Sequence, residues 1–174
     1  MEKTFALIKP DGVERGLIGE IISRFERVGL KVEALRMTKA TKEIAAKLYP
    51  DKKDWLETVG GKLLQTCQKY EVNVMDELGT NDLLELGKLV RKWLIEYVTS
   101  GPVVPMILSG NRAVEATRKI IGDTNPLFAQ PGTIRGDFSV DSADLANLSE
   151  RAIYNIIHAS GSPEEAEYEA SLWF

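Results

Sequence analysis

One histidine occurs in the 174 residues, His158, within "NIIHASGS". A neutral imidazole, with an ordinary pKa of about 6.5, can attack or take a proton if one ring nitrogen is held and the other left free. Further on, Glu169 falls inside the apolar arc of Ala166, Ala170, Leu172 and Trp173 rather than opposite it. A carboxylate drawn toward a core needs a partner, and His158 is the nearest candidate in sequence. Spacing alone fits either a satisfied structural histidine or a nucleophile whose tautomer a carboxylate fixes.

Three cations are candidates for anion binding. Lys9 stands where the apolar run "TFALI" meets the turn Pro10-Asp11-Gly12. Arg118 leans toward the apolar stripe that carries Val114 and Ile121, and Arg135 lies near the end of a long loop. A solvated turn lysine and an arginine snorkelling over the core edge are the plainer readings. The common phosphate loops are absent: "DGVERGLIGE" has the wrong glycine spacing for a dinucleotide site, and "VGGKLL" lacks the first glycine and the Ser/Thr of a P-loop. Phosphate binding would therefore rest on side chains, where arginine offers a two-point grip.

Composition narrows the field. The chain is 44% hydrophobic and 28% charged, as in a single globular domain, and its net charge of −4 with pI about 5.2 argues against a nucleic-acid surface. Cys67 is the only cysteine, so no intrachain disulfide forms, and one Cys with one His cannot supply a four-ligand zinc site. No apolar run approaches the roughly 20 residues of a membrane span, and the apolar stretch before Lys9 is too short for a signal peptide. A cytoplasmic location is expected.

The elements that must position these groups follow from period and punctuation. "TFALI" (4–8) reads as a buried strand and "RGLIGEIISRFERVG" as a helix stopped at Gly29. Residues 30–37 read as a second strand, and Thr41 as the N-cap of a helix that Pro50 ends. Residues 51–80 suggest helical pieces broken at Gly60-Gly61, and 82–98 an amphipathic helix. "PVVPMILS" predicts a strand, Asn111 an N-cap, and "RAVEATRKII" a helix closed by Gly122. Residues 122–137 have no period and form an unusually long loop, a surface excursion or a functional segment. "SADLANLSE" predicts a short helix and Ala152–His158 the last strand. Ser162, Pro163 and Glu165 then make a capping box for the C-terminal helix. Strands and helices do not alternate one for one, so the expected class is α+β, a small, largely antiparallel sheet with helices on one face.

Four motifs, "LIKPDGVERGLIGEII", "TNPLFAQPGTIRGDFSVD", "NIIHASGS" and the terminal "SLWF", resemble nucleoside diphosphate kinases from the first strand to the last residue. The resemblance implies a single domain over 1–174 with a ferredoxin-like four-stranded antiparallel sheet, in a long form with a helical insertion at about 51–88, between Tyr49 and Gly101. It implies ping-pong transfer of the γ-phosphate from a nucleoside triphosphate to a nucleoside diphosphate, with broad base specificity. His158 would be the nucleophile, Glu169 the carboxylate orienting it, Ser160 the support of Glu169, and Tyr49 a hydroxyl near the histidine. Lys9 would reach the ribose and the transferred phosphate, Arg118, Thr124 and Arg135 the phosphates, and Asn155 the ribose 3′-hydroxyl. Mg²⁺ would ride on the phosphates with no direct protein ligand, and the family works as a homo-oligomer, a hexamer or tetramer. No membrane or specific nucleic acid is implied.

Two departures from the pattern stand out. Gly161 replaces a common aspartate, and the position of the family's base-stacking phenylalanine falls, without gaps, on Val90, a thinner clamp unless Trp55 or another inserted residue takes over. Gly161 and the insertion are the support for a rival reading, a binding or interaction module that has lost turnover. One geometric expectation also follows. Asn155 and His158 are three apart and would point to opposite faces of an ideal strand, yet both should reach one nucleotide. The strand should therefore end or distort at about His158, with that residue in an uncommon conformation.

Overall fold

The computed structural model describes residues 1–174. Its sheet is built from β1 (Glu2–Ile8), β2 (Lys31–Leu35), β4 (Pro102–Gly110) and β5 (Ile157–Ala159), in the order β2-β4-β1-β5, with the two-residue β3 (Thr38–Lys39) beside β4. Every pairing is antiparallel. The crossovers run through α2 (Ile18–Arg27), from β1 to β2, and α7 (Ala113–Ile121), from β4 to β5. This is the ferredoxin-like order.

β1 is central and buried on both faces, which is why it reads as an unbroken apolar run rather than an alternating one. Ala6 and Ile8 pack with Ile21 and Phe25 of α2 and Ala113 and Ile121 of α7. Phe5 and Leu7 face the other way, onto α3 (Lys42–Leu48), α6 (Leu83–Thr99) and α10 (Pro163–Trp173), through Ala45, Leu48, Val98, Ala166 and Trp173. One-sided covering thus describes the crossover helices. The opposite face is covered as well, because β1 carries apolar side chains on both.

The inserted stretch is a helical hairpin. α4 (Lys53–Lys69) packs on α6, with the short α5 (Val74–Leu78) between them. α4 runs straight through Gly60-Gly61, which the sequence suggested as a break. The glycine serves close approach instead: a Cβ at 60 would stand 2.0 Å from Leu83 O, and one at Gly87 2.1 Å from Leu56 O. Leu63, Cys67, Val74, Leu86, Trp93 and Tyr97 give the hairpin its own core.

Local signals succeeded unevenly. The Thr41 hydroxyl accepts from Ile44 N–H, as expected of an N-cap. Asn111 does not cap α7; Arg112 takes the cap position at φ +47°, and the carboxylate of Glu2, from the start of β1, accepts from Val114 N–H. The expected loop at 122–137 holds a 3-10 turn at Pro126–Phe128 and enters α8 (Ile134–Phe138), capped by Thr133. A short helix α9 (Ala143–Leu148) follows. Ser162 caps α10 through Glu165 N–H, while the Glu165 carboxylate reaches past the cap to Gly161 N–H at 2.6 Å.

Candidate active site

The carboxyl end of β1 and the start of β5 open onto a cleft of about 410 Å³. Lys9, Tyr49, Val90, Arg118, Thr124, Arg135, Asn155, His158 and Glu169 all line it, although they are scattered along the chain from position 9 to position 169. Ser160 lies behind the wall, fully buried.

His158 sits on β5 opposite Leu7 of β1, its ring tilted against Phe5. Its Nε2–H donates to both carboxylate oxygens of Glu169, at 2.8 and 2.9 Å. Glu169 is only 3% exposed and also accepts from the Ser160 hydroxyl at 2.5 Å. A buried carboxylate with two donors is satisfied, and it fixes the tautomer that leaves Nδ1 with a lone pair. α10 brings Glu169 into place because Trp173, one turn later, is buried against Phe5.

The cations differ in how they are held. The Lys9 ammonium is buried, donates to Asn155 Oδ1 at 2.7 Å and lies over the Tyr97 ring. Burial, then the Arg135 charge, lower its pKa to about 7, against an opposing pull from Asp11. Arg135 donates to the backbone oxygens of Asn155, Gly122 and Ile157 at 3.1, 3.0 and 2.6 Å, leaving two of five N–H groups for a ligand. Burial and Arg118 bring it to about 10, so it stays charged at neutral pH. Arg118 is exposed at the cleft mouth. A Cβ at Gly161 would stand 3.9 Å from its Nη1 and 2.9 Å from Glu165 Oε2, so the Glu165 carboxylate already occupies the side of residue 161.

Asn155 is tied at both ends, accepting from Lys9 and donating through Nδ2 to Thr124 O at 2.8 Å. The Tyr49 hydroxyl is buried with no partner, and burial with the nearby Glu169 charge raises its pKa. An orphaned hydroxyl on a cleft wall is a donor waiting for an anion. Val90, half-buried on α6, stands in an apolar wall with Trp55 and Val59 of α4 and Trp93, so the inserted hairpin forms one side of the cleft.

The expected distortion exists, but at another residue. Positions 152–155 are not strand; β5 begins at Ile157, stays extended through His158, and Ser160 N–H still donates to Phe5 O at 3.1 Å. The unusual residue is Ile156, at φ +70°. Ile157 N–H donates to Asn155 O at 2.7 Å, which makes a three-residue turn centred on Ile156. Positive φ at a β-branched residue costs on the order of 1–3 kcal/mol. The surroundings over-determine it: Lys9 N–H donates to Ile156 O at 2.7 Å, and Ile156 N–H donates to Asp11 Oδ2 at 3.1 Å. The other Asp11 oxygen accepts from the Tyr97 hydroxyl. In the sequence Asp11 is visible only as a turn former, and Tyr97 only as a member of the amphipathic helix at 82–98. The sequence signal for Asp11 was its place two residues after Lys9, on a short helix, α1 (Pro10–Glu14), too brief to show a period.

Known proteins resemble this chain along nearly its whole length. A family model described as nucleoside diphosphate kinase matches residues 2–75 and 85–174. The chain is similar to the nucleoside diphosphate kinase of Pyrobaculum aerophilum, 51% identical over 174 residues covering all of this chain and 95% of that one. A crystal structure of an NDP kinase from the same organism superposes with a TM-score of 0.97, covering 99% of this chain and 95% of the other at 50% identity. A transition-state mimic of the Borrelia burgdorferi nucleoside-diphosphate kinase, with bound vanadate and ADP, superposes at 0.77 with 36% identity, covering 99% and 86%. With the model spanning nearly the whole sequence and half of all residues shared with a full-length relative, the chain belongs to the nucleoside diphosphate kinase family.

Proposed function

We propose that this chain transfers the γ-phosphate of a nucleoside triphosphate to a nucleoside diphosphate, reversibly, through a phosphohistidine on His158. The observation that carries the reading is the pairing of His158 Nε2–H with Glu169, which leaves Nδ1 free on the wall of a cleft that Lys9, Arg118 and Arg135 also line. Nδ1 attacks the γ-phosphorus in line, the bond to the bridging β-oxygen breaks, and the nucleoside diphosphate leaves. A β-phosphate oxygen of a second nucleoside diphosphate then attacks the phosphorus from the same site, the P–Nδ1 bond breaks, and the neutral imidazole is restored. The Nε2 proton stays where it is throughout, and the positive charge that builds on the ring faces the Glu169 carboxylate. Ser160 keeps that carboxylate oriented.

A loose phosphoryl transition state asks for positioning and for cations around the equatorial oxygens. Arg118, Arg135 and Thr124 are proposed to take the phosphates. Lys9 and Asn155 take the ribose hydroxyls, Lys9 also the moving phosphoryl group, and Tyr49 donates its unpartnered hydroxyl near Nδ1. Val90 lies against the base together with Trp55 and Val59 of the inserted hairpin. No group of three or more His, Cys, Asp or Glu side chains could hold a metal ion. Mg²⁺ is proposed to enter as part of the nucleotide, carried by its phosphates.

A homo-oligomer, hexamer or tetramer, belongs to the same reading, supported by the exposed apolar side chains Val28, Leu35 and Met37. No helix is long and apolar enough to cross a membrane; a cytoplasmic location is proposed from the nucleotide substrates. The test is to incubate the protein with labelled ATP and Mg²⁺, locate acid-labile phosphate, then add GDP and follow GTP. Label on His158 that passes to GDP is expected. No label would end the reading, and label that GDP cannot remove would leave a phosphorelay domain.

A further inference from the structure

We propose that Asp11, braced by Tyr97, is a positioning residue for phosphoryl transfer, because its carboxylate holds the Ile156 peptide in the turn that brings Asn155 and His158 to the same cleft. The inference rests on His158 being the nucleophile.

Asn155 and His158 are three residues apart, and on a straight strand they would face opposite ways. Both nonetheless line the cleft. The reversal is made at Ile156, the one residue between Arg151 and the end of the chain with positive φ. Ile156 is β-branched and fully buried, so its own preference opposes this conformation. Something else must hold it there. Its C=O is held by Lys9 N–H, just past the end of β1, a bond between backbone groups. Its N–H is held by Asp11 Oδ2 alone among side chains. A carboxylate is a strong acceptor, and the Tyr97 hydroxyl on its other oxygen fixes its orientation.

Asp11 does not line the cleft, so it acts through its neighbours: its charge favours the protonated form of Lys9, and its hydrogen bond holds the turn, which is the contribution that glycine at 156 can replace. Losing the bond lets Ile156 relax toward negative φ. That rotation moves Asn155, which touches Lys9 and Thr124, relative to His158, which stays in the β1 ladder. Nucleotide affinity should change less than the rate, because Arg118 is carried by α7 rather than by the turn, although Arg135 bonds the backbone oxygens on both sides of Ile156. The in-line approach of Nδ1 is the more sensitive, since displacements near 1 Å cost about 100-fold in rate.

The test uses the full-length protein and single-turnover phosphorylation by ATP, with ADP affinity measured beside it. Asp11→Ala is expected to slow labelling of His158 by about 10- to 100-fold while the ADP Kd changes less than about threefold. Tyr97→Phe, which keeps the carboxylate but frees it, should slow labelling by roughly three- to tenfold. Asp11→Ala combined with Ile156→Gly is the decisive variant, because glycine adopts φ +70° without a restraint. It should label faster than Asp11→Ala alone, although removing the Ile156 side chain opens the core. A purely structural role predicts the opposite order. Normal labelling in Asp11→Ala, or a double variant slower than that single one, overturns the proposal while leaving His158 as nucleophile. Absence of label on His158 in the unaltered protein overturns both. If Asp11→Ala fails to fold, the comparison of Tyr97→Phe with Tyr97→Phe/Ile156→Gly carries the same logic and the same two outcomes.

Discussion

The ammonium of Lys9 lies 2.7 Å from the side-chain oxygen of Asn155, buried, though the two residues are 146 positions apart in sequence. A charge in that position opposes folding and favours an anionic ligand. With its pKa lowered to about 7, much of Lys9 is neutral in the empty protein at pH 8, and nucleotide phosphates restore its proton. ADP binding at pH 8 should therefore take up close to one proton, measurable as a buffer-dependent heat, and Lys9→Met should abolish that uptake. The same group gives stability a slope. Between pH 7 and 10.5 the unfolded chain keeps a proton that the folded chain has released, so the unaltered protein gains stability across this window. Below it the buried charge is a cost. Thermal melts should show Lys9→Met more stable than the parent at pH 6, and the difference shrinking as pH rises toward 10.

Glu169→Gln keeps the shape of the pair but adds an amide donor toward Nε2, which moves the imidazole proton to Nδ1 and blocks the attacking lone pair. Single-turnover labelling should fall by about 100-fold or more, by analogy with a triad carboxylate changed to an amide. A rate within threefold of the parent would show that Glu169 does not set the tautomer.

Tyr49→Phe separates use from packing. The hydroxyl is buried without a partner, so removing it should leave the unfolding free energy unchanged or raise it by up to about 1 kcal/mol. Transfer to GDP should nonetheless slow, by about tenfold. Loss of stability with full activity would assign the hydroxyl to the fold.

Gly60→Ala tests the hairpin as a wall of the cleft. The new Cβ would meet Leu83 O at 2.0 Å and must push α4 from α6, costing about 1–3 kcal/mol in urea unfolding. Because Trp55, Val59 and Val90 line the cleft from these two helices, KM for the nucleotide should rise by more than kcat falls. An unchanged KM would detach the hairpin from nucleotide binding.

Much of this site was legible in residue order. A helix stripe betrays a carboxylate that sits inside it, which is how Glu169 announced a partner before any coordinates. A capping serine is local chemistry, so Ser162 was secure. What escaped depends on groups distant in sequence. Glu2 caps α7 at Val114, 112 positions away in sequence, which no window around Asn111 contains. Gly60-Gly61 reads as a breaker until a second helix lies against it. The turn at Ile156 is the plainest case, since an isoleucine predicts strand, and only Asp11 of α1 and Lys9, just past the end of β1, impose the other conformation.

β1 stands between β4 and β5, so the first strand of this sheet in chain order pairs with its last. Lys9, Asp11 and His158 thus meet only when nearly the whole chain has been made and its longest loop closed, a high-contact-order step that comes late in folding. Phosphate incorporated into His158 during refolding is accordingly a clock for completion. It should lag behind the helical signal, which the α4–α6 hairpin can generate from local contacts while the two ends of the polypeptide are still apart.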